Sequence, residues 1–166
     1  ENPNENINNN NEVIDNNINL KDIKLFPGNV LCLILNPIYW EKINDIRKNY
    51  DDNFCKIPPH VTLFQRFVEY NDFYNIKKDL VLIDDTVIFN KVEIFKLSIK
   101  YVLVLTTEDN YKINQIRSKI ENKLNIQNNS IPHITLGEFD SEKKALSAKN
   151  NIEKNILSEK IEISLN

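Results

Sequence analysis

Short apolar runs alternate with amphipathic stretches along most of this chain, and the alternation repeats after about 71 positions. Val30-Leu31-Cys32-Leu33-Ile34-Leu35 and Tyr101-Val102-Leu103-Val104-Leu105 are short, bounded and rich in branched residues, which is the pattern of buried strands. Helix-start signals follow each run. Asn36 can cap with Pro37 at the first helical position, and Thr106 or Thr107 can cap with Glu108 and Asp109 in the first turn. Apolar residues then recur at helical spacing: Tyr39, Ile43, Ile46 and Tyr50 in one stretch, Ile113, Ile116, Ile120 and Leu124 in the other. Such stripes predict core-facing helices, and the Lys and Glu residues scattered between them read as solvated surface.

A short extended phrase comes next in each half, Pro59-His60-Val61-Thr62-Leu63 and Pro132-His133-Ile134-Thr135-Leu136. After it a second helical stretch is expected, roughly 71–80 with Phe73, Ile76 and Leu80, and roughly 141–156 with Ala145, Ala148, Ile152 and Ile156. A closing strand ends each half, within 86–97 in the first and on alternating Ile161, Ile163 and Leu165 in the second. Both halves therefore read β-α-β-α-β, and the expected fold class is α+β. Duplicated units of this kind pack about a pseudo-twofold axis, which would bring the two phrases together across a central cleft between antiparallel sheets. Residues 1–22 are Asn-rich without apolar periodicity and read as a disordered linker, leaving 23–166 as one domain.

Composition narrows the picture. Among 166 residues there is no run long enough for a membrane span and no visible signal peptide, so an intracellular protein without a membrane partner is expected. Its two cysteines, Cys32 in a strand and Cys55 in a loop, form neither a disulfide framework nor a zinc spacing. A net charge of −3 argues against a broad basic surface for long nucleic acid; an RNA partner would be a 3′ end or a short oligonucleotide. The absence of methionine and a first residue Glu1 fit a domain cut from a larger polypeptide, and a monomeric domain is expected.

The chain has only two histidines, and both fall in the repeated phrase, 73 positions apart. In a strand alternate side chains share a face, so His60 projects with Thr62 and His133 with Thr135. Two imidazoles with two hydroxyls make an acid–base pair with hydrogen-bond donors beside it. No carboxylate or cysteine recurs beside both motifs, so no metal or other cofactor is expected. Continued period-two spacing puts Phe64 and Arg66 after the first pair and Gly137 and Phe139 after the second. These four are candidates to stack on a base, contact a phosphate or let a backbone approach.

Two His-hydrophobic-Thr motifs, one per half of a repeated α+β unit over residues 25–165, resemble the 2H phosphoesterase superfamily. Its members act without metal on 2′,3′-cyclic phosphates, 2′–5′ linkages or RNA 3′ ends. The resemblance implies that His60 and His133 are the catalytic pair and that Thr62 and Thr135 hold the phosphoryl oxygens. It also implies a cyclic phosphodiesterase of RNA ends, of the kind found in the end-healing domain of fungal-type tRNA ligases. A 2′–5′ oligoadenylate phosphodiesterase, a 3′-end trimming enzyme and a catalytically silent RNA-end-binding module are the alternatives. Where some members carry a basic residue after the second motif, this chain has Gly137-Glu138, a difference that concerns substrate subclass.

Overall fold

In order along the chain come β1 (Phe26–Ile34), a 3-10 turn (Pro37–Tyr39) running into α1 (Trp40–Arg47), β2 (His60–Phe67), α2 (Tyr70–Lys77), β3 (Thr86–Phe89), β4 (Lys91–Lys96), β5 (Tyr101–Thr106), α3 (Tyr111–Leu124), β6 (His133–Phe139), α4 (Glu142–Asn155) and β7 (Ile161–Ser164). The computed structural model describes residues 24–77, 86–155 and 161–164. The Asn-rich stretch 1–22 and the stripe positions Leu80, Ile156 and Leu165 lie outside the described residues.

The architecture is α+β with antiparallel strands. One sheet has the order β1-β2-β6-β5-β4, and β3 pairs with β7 in a second, two-stranded sheet. The two histidine strands are thus immediate neighbours in a single sheet, where the sequence had suggested sheets facing each other over a cleft. The closing strand expected within 86–97 is divided: β3 leaves to pair with β7, and after Asn90 β4 joins β5.

A row of apolar side chains crosses the large sheet, Leu33–Val61–Ile134–Leu105–Val92, in register on all five strands. Val61 and Ile134 have no exposure and Leu105 and Val92 have 1 %. Burying each such side chain contributes on the order of 1.5–3 kcal/mol, so this row strongly fixes which face of each strand points inward. The helical stripes join the same core: Ile43 and Ile46 from α1, Ile113, Ile116, Ile120 and Leu124 from α3, Ala148 and Ile152 from α4.

Helix starts differ between the halves. Asn36 Oδ1 accepts from Ile38 N–H at 3.1 Å with Pro37 in first position, as the sequence indicates. Before α3, Thr106 still belongs to β5, and Thr107 and Asp109 accept from Asp109 N–H and Tyr111 N–H in two successive turns. The helix therefore begins at Tyr111, later than Glu108, because these short polar side chains satisfy local N–H groups in a non-helical path.

Candidate active site

The register between β2 and β6 places the motifs. Val61 pairs with Ile134, the middle residue of one phrase against the middle residue of the other. Continuing one step each way sets His60 across from Thr135 and Thr62 across from His133. All four project on the face opposite the apolar row. Directly opposed residues have Cβ atoms about 4.5–5.5 Å apart and diagonal ones about 7–8 Å, so the two imidazoles occupy one diagonal of a small quadrilateral and the two hydroxyls the other. All four side chains are half-buried.

Local structure treats the two motifs alike. His60 Nδ1 lies 2.8 Å from Pro58 O and His133 Nδ1 lies 2.7 Å from Ile131 O, in each case the carbonyl two residues upstream. A carbonyl oxygen only accepts, so Nδ1 carries the proton and Nε2 of each neutral ring keeps its lone pair. A register shift follows each threonine. Thr62 pairs with Cys32 but Phe64 with Leu31, and Thr135 pairs with Val104 but Gly137 with Leu103. Leu63 and Leu136 are the bulged residues, both buried, and the bulge ends the alternation that lines up histidine and threonine.

That bulge redirects the four further candidates. Phe64 is 3 % exposed, inside the core and stacked on Phe67 at 5.7 Å, so it offers no ring to a ligand. Gly137 does permit a close approach, but of the chain itself: a Cβ there would stand 2.4 Å from Tyr50 Cβ and 2.7 Å from Tyr50 O. Arg66 and Phe139 each lie six residues beyond their histidine, about 20 Å along the strand. Arg66 is exposed, and Phe139 packs on Tyr50 at 5.7 Å. Period-two reasoning misses Phe64 because a bulge is invisible in a single strand's pattern, and misses Arg66 and Phe139 because a shared face does not bring residues six positions apart to one point.

Other residues stand at the quartet instead. Cys32 Sγ is 3.8 Å from Thr62 Oγ1, and burial pushes its thiol above the usual value against the opposing effect of that contact. Phe95 from β4 packs edge-on against the His133 ring, with centroids 5.1 Å apart. Burial holds the His133 imidazole below its ordinary pKa; the positive charges of Arg117 and His60 push the same way, and the bond to Ile131 O pushes back. Cavities of 580 and 490 Å³ lie elsewhere, one lined by Tyr50, Asp51 and Glu138 and the other by Arg117, Glu121 and Ser130. Among the described residues no group of three or more His, Cys, Asp or Glu is placed to hold a metal ion, and no helix is long and apolar enough to cross a membrane.

A paired-imidazole centre on one face of an antiparallel sheet defines the class of site. The chain belongs to the 2′-5′ RNA ligase superfamily, whose sequence profile matches residues 37–164, so the two-histidine phosphoesterase resemblance holds as family membership. No curated protein matches closely enough to count as a relative. Among solved structures, Usb1 of Kluyveromyces marxianus with uridine monophosphate is similar over 88 % of this chain and 99 % of that one, with 10 % identity and a TM-score of 0.39, too distant to bear on the site.

Proposed function

We propose that this domain is a phosphodiesterase that opens 2′,3′-cyclic phosphate ends of RNA by two-histidine acid–base catalysis, without a metal. The observation that carries the reading is the Val61–Ile134 register, which supports a face shared by both histidines and both threonines on adjacent strands. Superfamily membership supports phosphodiester chemistry on RNA.

The chemistry follows from the atoms available. Each ring presents Nε2 because its Nδ1–H is committed to a backbone carbonyl. Burial holds His133 below the ordinary imidazole value, which favours its neutral form, so we assign it the general base. His133 Nε2 takes a proton from water as the water oxygen bonds to phosphorus. His60, protonated at Nε2, donates to the departing ribose oxygen as the P–O bond breaks. One cyclic diester and one water give one monoester, and the proton gained by His133 equals the proton lost by His60. Exchange with solvent restores both rings. Thr62 and Thr135 hydroxyls donate to the non-bridging oxygens, where negative charge gathers.

The test is incubation in EDTA with 2′,3′-cyclic nucleotides, cyclic-phosphate-ended RNA, RNA with a plain 3′ end and 2′–5′ oligoadenylate, followed by mapping of the product phosphate. Turnover of the cyclic substrates alone is expected. Turnover of the 2′–5′ linkage or plain 3′ ends would move the assignment to the other enzymatic class, and binding without turnover would make this an RNA-end-binding module.

A further inference from the structure

Two buried arginines occupy matching places in the halves. Arg47 in α1 and Arg117 in α3 are 70 positions apart, each 3 % exposed. Arg47 Nη1 donates to Ile57 O at 2.9 Å, and Arg117 Nη1 donates to Ser130 O. Ile57 and Ser130 each stand three residues before the motif histidine, so each arginine clamps the approach to its own imidazole. Each also has a carboxylate four residues on, Asp51 and Glu121.

Here the likeness ends. Arg47 gives Nε and Nη2 to Asp51 Oδ2 at 2.9 and 2.8 Å, matching its charge with a buried carboxylate. Glu121 instead accepts from Asn128 N–H at 2.7 Å. Arg117 Nε is left with no partner in the buried interior. Its Nη2 spans the two motifs, donating to Ser130 Oγ at 3.1 Å and across to Thr62 O at 3.0 Å. Thr62 is the residue set against His133. Ser130, Ile131 and Pro132 lead directly into His133, so an arginine held by Thr62 O and Ser130 stands beside that histidine and on the seam between β2 and β6.

We propose that Arg117 is a positioning residue that ties the two motif strands together and, by leaving its charge unmatched beside His133, distinguishes two otherwise equivalent histidines as base and acid. The proposal rests on the cyclic phosphodiesterase reading for the roles of the histidines, but not for the tie or the charge. A buried cation hydrogen-bonded only to neutral acceptors is costly to keep, and such groups cluster where their field is used. The charged groups acting on His133 are Arg117 from α3 and His60 from β2; β4 presents the Phe95 ring and β5 presents Thr106. Arg117 stays protonated, since burial lowers a very high starting value and Glu121 works against the decrease.

With only two histidines in the chain, NMR titration of the imidazole C–H signals reads each directly, and His60→Ala and His133→Ala assign them. In Arg117→Gln the His133 titration should move up, and the acidic limb of kcat/KM for the cyclic substrate should move up with it. Arg117→Lys keeps the charge but loses the planar fork, so His133 should titrate as in wild type while kcat falls roughly 10–100-fold. Arg117→Met is a second variant without the charge, its flexible apolar chain filling the same space, and should also move His133 up, which keeps the charge claim testable should Arg117→Gln not fold. An unmoved His133 in both charge variants, or wild-type kcat in Arg117→Lys, overturns the proposal. If the titrations shift as stated and no cyclic substrate is turned over, the functional reading fails and the charge device stands.

Discussion

Replacing Gly137 by alanine isolates the contact that closes β6 against the loop after α1. The chain has two glycines, and they fail differently on gaining a methyl group. Gly28 has φ +101° with open space around it, whereas Gly137 lies outside the left-handed region and its Cβ would meet Tyr50 Cβ at 2.4 Å. Carbon atoms settle at about 3.5–4.0 Å, so Tyr50 must withdraw by about 1 Å. Tyr50 cannot do so freely. Its N–H donates to Arg47 O at 2.9 Å, its O accepts from Glu138 N–H at 3.0 Å, and its ring packs on Phe139. Overpacking of a fixed site costs about 1–3 kcal/mol, a lost backbone hydrogen bond about 1 and a lost aromatic pair about 0.5–1.5. Gly137→Ala should therefore lose about 3–5 kcal/mol, a large part of the roughly 5–15 that holds a domain of this size. Gly28→Ala should lose only about 1–2, from backbone conformation alone. Urea denaturation at one pH measures both through the midpoint. A loss below about 1 kcal/mol at Gly137, or one no larger than at Gly28, would refute the close-approach account.

Three further predictions concern the site and its support. His60→Ala and His133→Ala should each reduce kcat on a cyclic substrate by ~10²–10⁴-fold in domains that still unfold cooperatively in urea, and Thr62→Ala and Thr135→Ala should lose less, since each removes one hydrogen bond; near-wild-type turnover in either histidine variant would refute the paired role. Because His133 titrates lower folded than unfolded, stability should be full above the ordinary imidazole value of about 6.5 and decline as pH falls through it, until the folded ring also protonates. Urea midpoints from pH 8 to 5 check this, and the part of the decline due to His133 should vanish in His133→Ala. Asp51→Ala leaves Arg47 buried and unmatched and should cost about 3–5 kcal/mol, with hydrogen exchange accelerating in the loop of residues 48–59 that carries Ile57; unchanged exchange there would count against Arg47 as a clamp on the path to His60.

Much of this molecule is legible in single-chain periodicity, and what escapes it depends on register or on distant pairing. The strand and helix stripes appear because burial imposes periods of 2 and 3.6 on local sequence: Val61 and Ile134 point inward, as do Ile113, Ile116 and Ile120. The bulges at Leu63 and Leu136 leave no mark in either strand alone, since a bulge is a mismatch between partners; Phe64 and Gly137 were assigned to the wrong surroundings for that reason. The departure of β3 to pair with β7 joins residues 75 positions or so apart and has no local signal. Arg47 and Arg117 were legible in principle, as equally spaced arginines with an acid four residues later. A helical charge is ordinarily solvated, and that expectation hid them.

The equivalence of the two motifs poses a chemical problem that the surroundings must solve. Opening a cyclic phosphate needs one proton accepted and one donated in the same turnover, so two imidazoles with identical environments would compete for one role. The motifs themselves supply no distinction: each Nδ1 faces a carbonyl two residues back, each threonine precedes a bulged leucine, and each approach is held by an arginine. The differences lie one layer out. Beside Thr62 stands Cys32, while His133 meets the Phe95 ring and an arginine whose partner carboxylate has turned to Asn128. A neutral ring and a cation both disfavour a second positive charge at His133, so the non-repeated layer pushes that imidazole toward the neutral form and gives a direction to an otherwise symmetric pair. On this account, exchanging the roles requires moving charge around the arginines while leaving the histidines untouched.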